Sequence, residues 1–213
     1  MMKTMTVLAA LAALSATPVA AHEVWIERDA AGPARIYLGE PADAVPATGD
    51  PEFRHLQRPQ LVGTTGTAVA LVRRENHVEA AVAGRSDVRV RDDAVFAPWK
   101  AGEAMQGAIY YARAGRTEPK AALDLELVPV APQSDRFTLL FRGAPLPGAK
   151  LTVITPDRWQ KAFVTDASGR IDIPRRGNGR YIVGASHTED KPAMLGGQEV
   201  ASVMHVSTLT FVR

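Results

Sequence analysis

Five histidines carry most of the chemistry open to this chain: His22, His55, His77, His187 and His205. The sequence has no cysteine, so thiolates supply neither a nucleophile nor a metal ligand, and disulfides do not staple the fold. A metal would have to be held by imidazole, carboxylate, thioether or backbone groups. No histidine lies in a compact ligand motif such as H-E-x-x-H. His187 stands among Ser186, Thr188, Glu189 and Asp190. An imidazole with two neighbouring carboxylates suits metal ligation, and equally an ordinary polar loop. His205 lies in the run Val203 to Phe211 and by strand period shares a face with Val203, Leu209 and Phe211. A histidine on such an apolar face is more often a hydrogen-bonded core group than a ligand. His55 and His77 have no partners in sequence and read as surface residues. Met194 and Met204 are available as soft ligands, although methionine more commonly fills core gaps. Met204 and His205 are adjacent on a strand and must point to opposite faces.

His22 is set apart by what precedes it. One cation, Lys3, is followed by the small apolar run Val7 to Ala16, the breaker Thr17-Pro18, and then Val19-Ala20-Ala21. That order is the charged, apolar and cleavage-site order of a secretory signal peptide. The apolar run is roughly half the length a spanning helix needs, and no later stretch is long or apolar enough to span a bilayer. Residues 1–21 are therefore expected to be a signal peptide cut after Ala21, giving a periplasmic protein that begins at His22. A chain beginning with histidine offers its α-amine and ring Nδ1 as a chelating pair, and a second histidine then completes a T-shaped nitrogen site, the histidine brace. Nitrogen ligation of that shape suits Cu(II) or Ni(II), and the amine titrates near neutrality.

Composition narrows the partners. The formal charge of +2 over 213 residues gives no basis for a nucleic-acid partner. Basic pairs such as Arg73-Arg74 and Arg175-Arg176 read as solvated turn charges. No G-x-S-x-G or comparable grouping supports a hydrolase, so the chain is expected to be a binding protein and not an enzyme.

The elements that must position these residues read as strands. Apolar and polar residues alternate in Glu23 to Glu27, Arg35 to Leu38, Ala68 to Val72, Val88 to Val95, Ala122 to Val128, Phe137 to Phe141, Leu151 to Ile154, Arg180 to Ala185 and Val203 to Val212. Gly, Pro, Asp and Asn punctuate the runs, so the fold class is all-β, a sandwich or barrel. Gln106 to Ala114 suits a short helix or a strand. Pro129 to Pro132 reads as a linker, dividing a β-rich unit at 22–130 from a compact unit at 131–213 of about the size of one immunoglobulin-like domain. In that second unit Phe137 to Phe141 is a strand, 142–149 a turn, and Leu151 to Ile154 the returning strand. Thr165 to Gly169 is a tight turn in which Asp166 caps the backbone and Gly169 takes positive φ.

The phrase from Gly143 to Leu151, followed by Thr165-Asp166-Ala167-Ser168-Gly169, resembles the carboxypeptidase-regulatory or collagen-adhesin B-type repeat, a small transthyretin-like sandwich that usually serves as a scaffold. Over nearly all of the chain after residue 21, the sequence resembles a periplasmic family often labelled as a nickel-uptake, substrate-specific component. Ala21 to Glu27 resembles its opening, Tyr111 to Gly115 and Leu125 to Pro129 its central segments, and Ser186 to Glu189, Gly196-Gly197 and His205 to Phe211 its close. The segment from Leu38 to His55 is shorter than in that family. The resemblance implies a transition-metal-handling protein in uptake or homeostasis of nickel or cobalt, copper or iron. It also implies a partner in an inner-membrane metal transporter or outer-membrane receptor.

Together these lines give one metal site: amine and Nδ1 from His22, one imidazole each from His187 and His205, and Glu189 as a fourth ligand or as an orienting carboxylate. The site requires the first strand to lie beside the last two. Two other classes compete. One is a metal-free sandwich that presents a surface to a membrane transporter. The other is a copper-dependent oxygenase using the same brace, which the wide spacing of Trp25, Trp99 and Trp159 and the lack of cysteine disfavour.

Overall fold

A computed structural model describes residues 22–63 and 69–213. The signal-peptide reading of residues 1–21 and the first residue of the Ala68 to Val72 strand lie outside the described residues. The fold is all-β, with 49% of the described residues in strands and 3% helical. In chain order the strands are β1 (Glu23–Glu27), β2 (Ala34–Gly39), β3 (Gln60–Val62), β4 (Leu71–Arg73), β5 (Val78–Ala80), β6 (Val88–Asp92), β7 (Trp99–Ala101), β8 (Ala104–Ala114) and β9 (Leu125–Pro129). They continue as β10 (Arg136–Phe141), β11 (Ala144–Pro145), β12 (Lys150–Ile154), β13 (Gln160–Val164), β14 (Arg170–Asp172), β15 (Arg180–Glu189), β16 (Ala193–Leu195), β17 (Gln198–Val200) and β18 (Ser202–Val212). A 3-10 turn at Pro51–His55 is capped by Asp50, whose side chain accepts from the Glu52 N–H.

A central sheet runs β13-β12-β15-β18-β8-β6-β3, with β7 also on β8. Its β18–β8 pair is parallel, and the other pairs in it are antiparallel. A sheet of order β1-β2-β5-β4 covers one face, and β9, β10, β11 and β14 cover the other. Strand β18 displays the layering directly. Val203, Leu209 and Phe211 enter the core shared with Leu127, Phe137 and Leu139, while Val206 enters the core shared with Val24, Ile26 and Ile36. Period-two alternation on one strand thus feeds two cores.

This layering explains where the sequence signals mislead. Gln106 to Ala114 is strand, and every residue from Gly107 to Ala114 is buried. A strand covered on both faces loses the polar alternation that would mark it as one. The boundary expected near residue 130 is not a linker. Residues 130–135 connect the antiparallel hairpin β9–β10, in which Pro129 faces Phe137. The units expected at 22–130 and 131–213 share the central sheet through β8 and β18. Leu151–Ile154 leaves the sheet of β10 and joins the central one against β13 and β15. The turn at Asp166 does form: its carboxylate accepts from the N–H groups of Ser168 (2.8 Å) and Arg170 (2.9 Å), with Gly169 at φ 71°.

One polar device ties the layers together. Glu126, fully buried on β9, accepts from Arg89 Nε at 2.6 Å and Arg113 Nη1 at 2.8 Å through one oxygen. Its other oxygen accepts from the N–H groups of Ala122 (2.6 Å) and Leu123 (2.9 Å). Arg113 also pairs with buried Asp87. Burial pushes the Asp87 carboxyl up, but hydrogen bonds from Thr117 and the nearby Arg113 outweigh it and hold it below the usual range.

Candidate functional site

The register of β15 against β18 decides which candidate ligands meet. His187 lies directly opposite His205, and Glu189 opposite Val203. Direct partners and residues two apart share a face, so His187, Glu189 and His205 all project from the face that carries Leu209 and Phe211. Tyr111, on β8 opposite Ser207, projects from the same face. His205 has a side-chain exposure of 1%. His187 and Glu189 are half-buried toward the strand end.

A ring of polar groups closes around His205. Tyr111 Oη lies 3.0 Å from His205 Nδ1 and donates to Asp124 Oδ2 at 3.4 Å. The two rings stack nearly parallel, 5.8 Å apart. Arg142 donates from both terminal nitrogens to Glu189, at 2.7 and 2.9 Å, while its Nε lies 4.0 Å from Asp124 Oδ2. The remaining link is open. His205 Nε2 is buried, has no hydrogen-bond partner, and faces Glu189 Oε2 at 3.7 Å. Phe141 packs against both imidazoles, with ring centroids 4.6 Å from His187 and 4.9 Å from His205. The guanidinium of Arg142 lies over the same Phe141 ring.

Proton placement follows from this ring. When Tyr111 donates to Asp124, its oxygen accepts from His205 Nδ1–H, and Nε2 is left as a bare lone pair aimed toward a carboxylate. Burial lowers the His205 pKa against the opposing pull of Glu189, which favours the neutral ring with that lone pair. Burial also pushes the Tyr111 hydroxyl well above its usual value, reinforced by Asp124, so it stays protonated as a donor. Glu189 is held below the usual carboxylate range, chiefly by its hydrogen bonds from Arg142. A lone pair facing an anion repels it unless a cation lies between.

His22 is elsewhere. Thr208 donates to the carbonyl of Val24 at 2.7 Å, so β1 packs on the face of the central sheet carrying the even-numbered residues of β18. His205 is on the odd-numbered face, and the sheet itself lies between. The single site expected from His22, His187, His205 and Glu189 therefore divides. Three of the residues cluster, and His22 instead has its Nε2 3.2 Å from Asp50 Oδ1. An Nε2–H donated to Asp50 would leave Nδ1 with the lone pair. Asp50 had no signal in sequence beyond its place before Pro51. Beside it, Trp25, Leu38, Glu40, Asp43 and Val45 line a cleft of about 170 Å³.

The other candidates are structural. His55 sits 3.1 Å from Glu52 and tilts against Phe96. His77 is bonded through Nδ1 to Asn76 at 2.7 Å. Both are half-buried, more enclosed than surface residues. Met204 packs in the core opposite to His205, and Met194 is exposed on the β16–β17 hairpin. Among the described residues, no group of three or more His, Asp or Glu side chains stands in ready ligand geometry around one point.

No family model matches this chain, and no characterised protein matches it by sequence. Among solved structures it is similar to the Bacteroides ovatus mixed-linkage glucan utilization locus protein SGBP-B in complex with a mixed-linkage heptasaccharide. That likeness covers 87% of this chain and 46% of the other at 12% identity, with a TM-score of 0.18. A likeness at that level carries no argument about function.

Proposed function

We propose that this chain is a periplasmic metal-binding accessory protein that takes a divalent transition metal through His205, Glu189 and His187 and serves metal uptake or homeostasis. The observation that carries the reading is the buried, unpartnered Nε2 of His205 facing Glu189 Oε2 at 3.7 Å. With metal–ligand bonds of about 2.0–2.2 Å, two donor atoms that far apart subtend an angle of about 125° at one ion, within the range of distorted tetrahedral ligation. His187, directly opposite on the strand pair, supplies a further imidazole by turning off Phe141. Tyr111 fixes the tautomer that aims the lone pair, the part an orienting partner plays for a metal-bound histidine. Imidazole with a single carboxylate suits nickel, copper, iron or zinc better than calcium or magnesium. The sequence resemblance to the nickel-uptake family and the export signal at 1–21 support the periplasmic setting, with a membrane metal transporter or receptor as partner. His22 and Asp50 form a separate half-site, in which a chain beginning at His22 would add its amine.

The test is metal content per chain after export, dialysis and loading with Ni²⁺ or Cu²⁺. One equivalent is expected for the parent, and its loss in His205→Ala and Glu189→Ala. Full retention in both variants would refute this site. Loss in His22→Ala alone would move the metal to the Asp50 half-site.

A further inference from the structure

Both oxygens of Glu189 accept from Arg142, so a metal would have to compete with the guanidinium for that carboxylate. We propose that Arg142 is a displaceable internal cation that occupies Glu189 until a metal arrives and then moves to Asp124, so that one cation exchanges for another. The inference rests on the metal reading of the His205 cluster and adds how that site is kept and opened.

The backbone beneath Arg142 is fixed. Its φ of 47° and that of Gly143 at 80° form the tight turn between β10 and β11, and its N–H donates to the Asp124 carbonyl at 2.6 Å. What remains free is the side chain, half of which is exposed. The second seat already exists: Nε stands 4.0 Å from Asp124 Oδ2, and Asp124 is about as exposed as Arg142. A rotation about the outer side-chain torsions moves the guanidinium from one carboxylate to the other without leaving the Phe141 ring beneath it, at 4.7 Å.

The exchange is also consistent across the ring. A divalent ion between His205 and Glu189 would repel a guanidinium still seated on Glu189. Arg142 on Asp124 stabilises that carboxylate as an anion, which keeps Tyr111 donating to it and keeps His205 Nε2 bare. Leaving Glu189 and preparing His205 are thus a single movement. An exposed ion pair contributes little stability of its own, so Arg142 is a weak competitor that an ion with several donor atoms can displace.

The experiment is calorimetric titration of the intact exported protein with Ni²⁺ and with Cu²⁺, comparing the parent, Arg142→Gln, Arg142→Lys and Asp124→Asn. Copper EPR reports nitrogen ligation in each. Arg142→Gln is expected to bind about two- to fivefold more tightly with an unchanged spectrum, since the competitor is gone and the ligands remain. Arg142→Lys should fall between, because an ammonium lacks the two-point grip of a guanidinium. Asp124→Asn should bind about two- to fivefold more weakly, having removed the second seat. Equal affinity in the parent and Arg142→Gln overturns the exchange and leaves the metal site standing. Weaker binding by Arg142→Gln overturns it too, making Arg142 a support and not a competitor. No binding by any of the proteins overturns the metal reading, and the exchange falls with it.

Discussion

Glu23 offers the sharpest test of the described packing. It begins β1, the strand wedged against β8 and β18, and its carboxylate reaches inward against the backbone of Gly184. A Cβ added to Gly184 would lie 2.6 Å from Glu23 Oε1. Burial pushes the Glu23 carboxyl up from 4.5 to about 7. The neighbouring Tyr110 hydroxyl is raised to about 12, by burial first and by Glu23 second. Glu23 thus binds its proton more tightly in the folded protein than in the unfolded chain. The associated stability is fully present below pH 4.5 and is lost as pH rises through about 7. A carboxyl moved that far corresponds to about 3 kcal/mol between the two limits. Glu23→Gln keeps the shape and removes the ionisation. The difference in unfolding free energy between variant and parent should be near zero at pH 4 and should rise to about 3 kcal/mol in favour of the variant at pH 8. Urea melts at four or five pH values measure it. Carboxylates held below the usual range, such as Asp29 and Asp166, weaken both proteins equally in acid and cancel in the difference. A difference that stays constant from pH 4 to pH 8 would refute an enclosed Glu23.

Two further substitutions probe the buried ion network. Glu126→Gln leaves Arg89 and Arg113 without their shared anion and turns an amide N–H₂ toward donors, so a loss of about 3–5 kcal/mol is expected in denaturant melts. A loss under about 1 kcal/mol would mean that the arginines find other partners. Gly115→Ala introduces a Cβ 2.2 Å from Asp87 Oδ1, at a φ of 108° that suits glycine. It should cost about 1–3 kcal/mol of stability through backbone strain alone, more if Asp87 is driven from Arg113, and parent-like melting would show that the turn relaxes freely.

Local signals carried much of the fold. The nine strands expected from alternation all meet observed strands, although Val88 to Val95 and Ala122 to Val128 each run past theirs, and Ala68 to Val72 meets its strand only at its end. The Asp166 turn was legible because a capping carboxylate and a positive-φ glycine act within a few residues of each other. Proline punctuates hairpin turns and domain boundaries alike, so Pro129–Pro132 suits either, and the structure has it at the end of β9 and in the turn to β10.

An all-β chain, the shared face of His205, Leu209 and Phe211, and the opposition of Met204 to His205 follow from residue order, since the strand period is a local property. Which histidines meet depends on contacts between strands far apart in the chain. Register placed His187 opposite His205, and Glu189 beside it. The layering placed β1 on the other face of the central sheet, parting His22 from them. Tyr111, Asp124 and Arg142 joined the site from strands and turns far apart in sequence. Pairing and layering are set by burial of whole faces against one another, and no spacing along the chain records that choice.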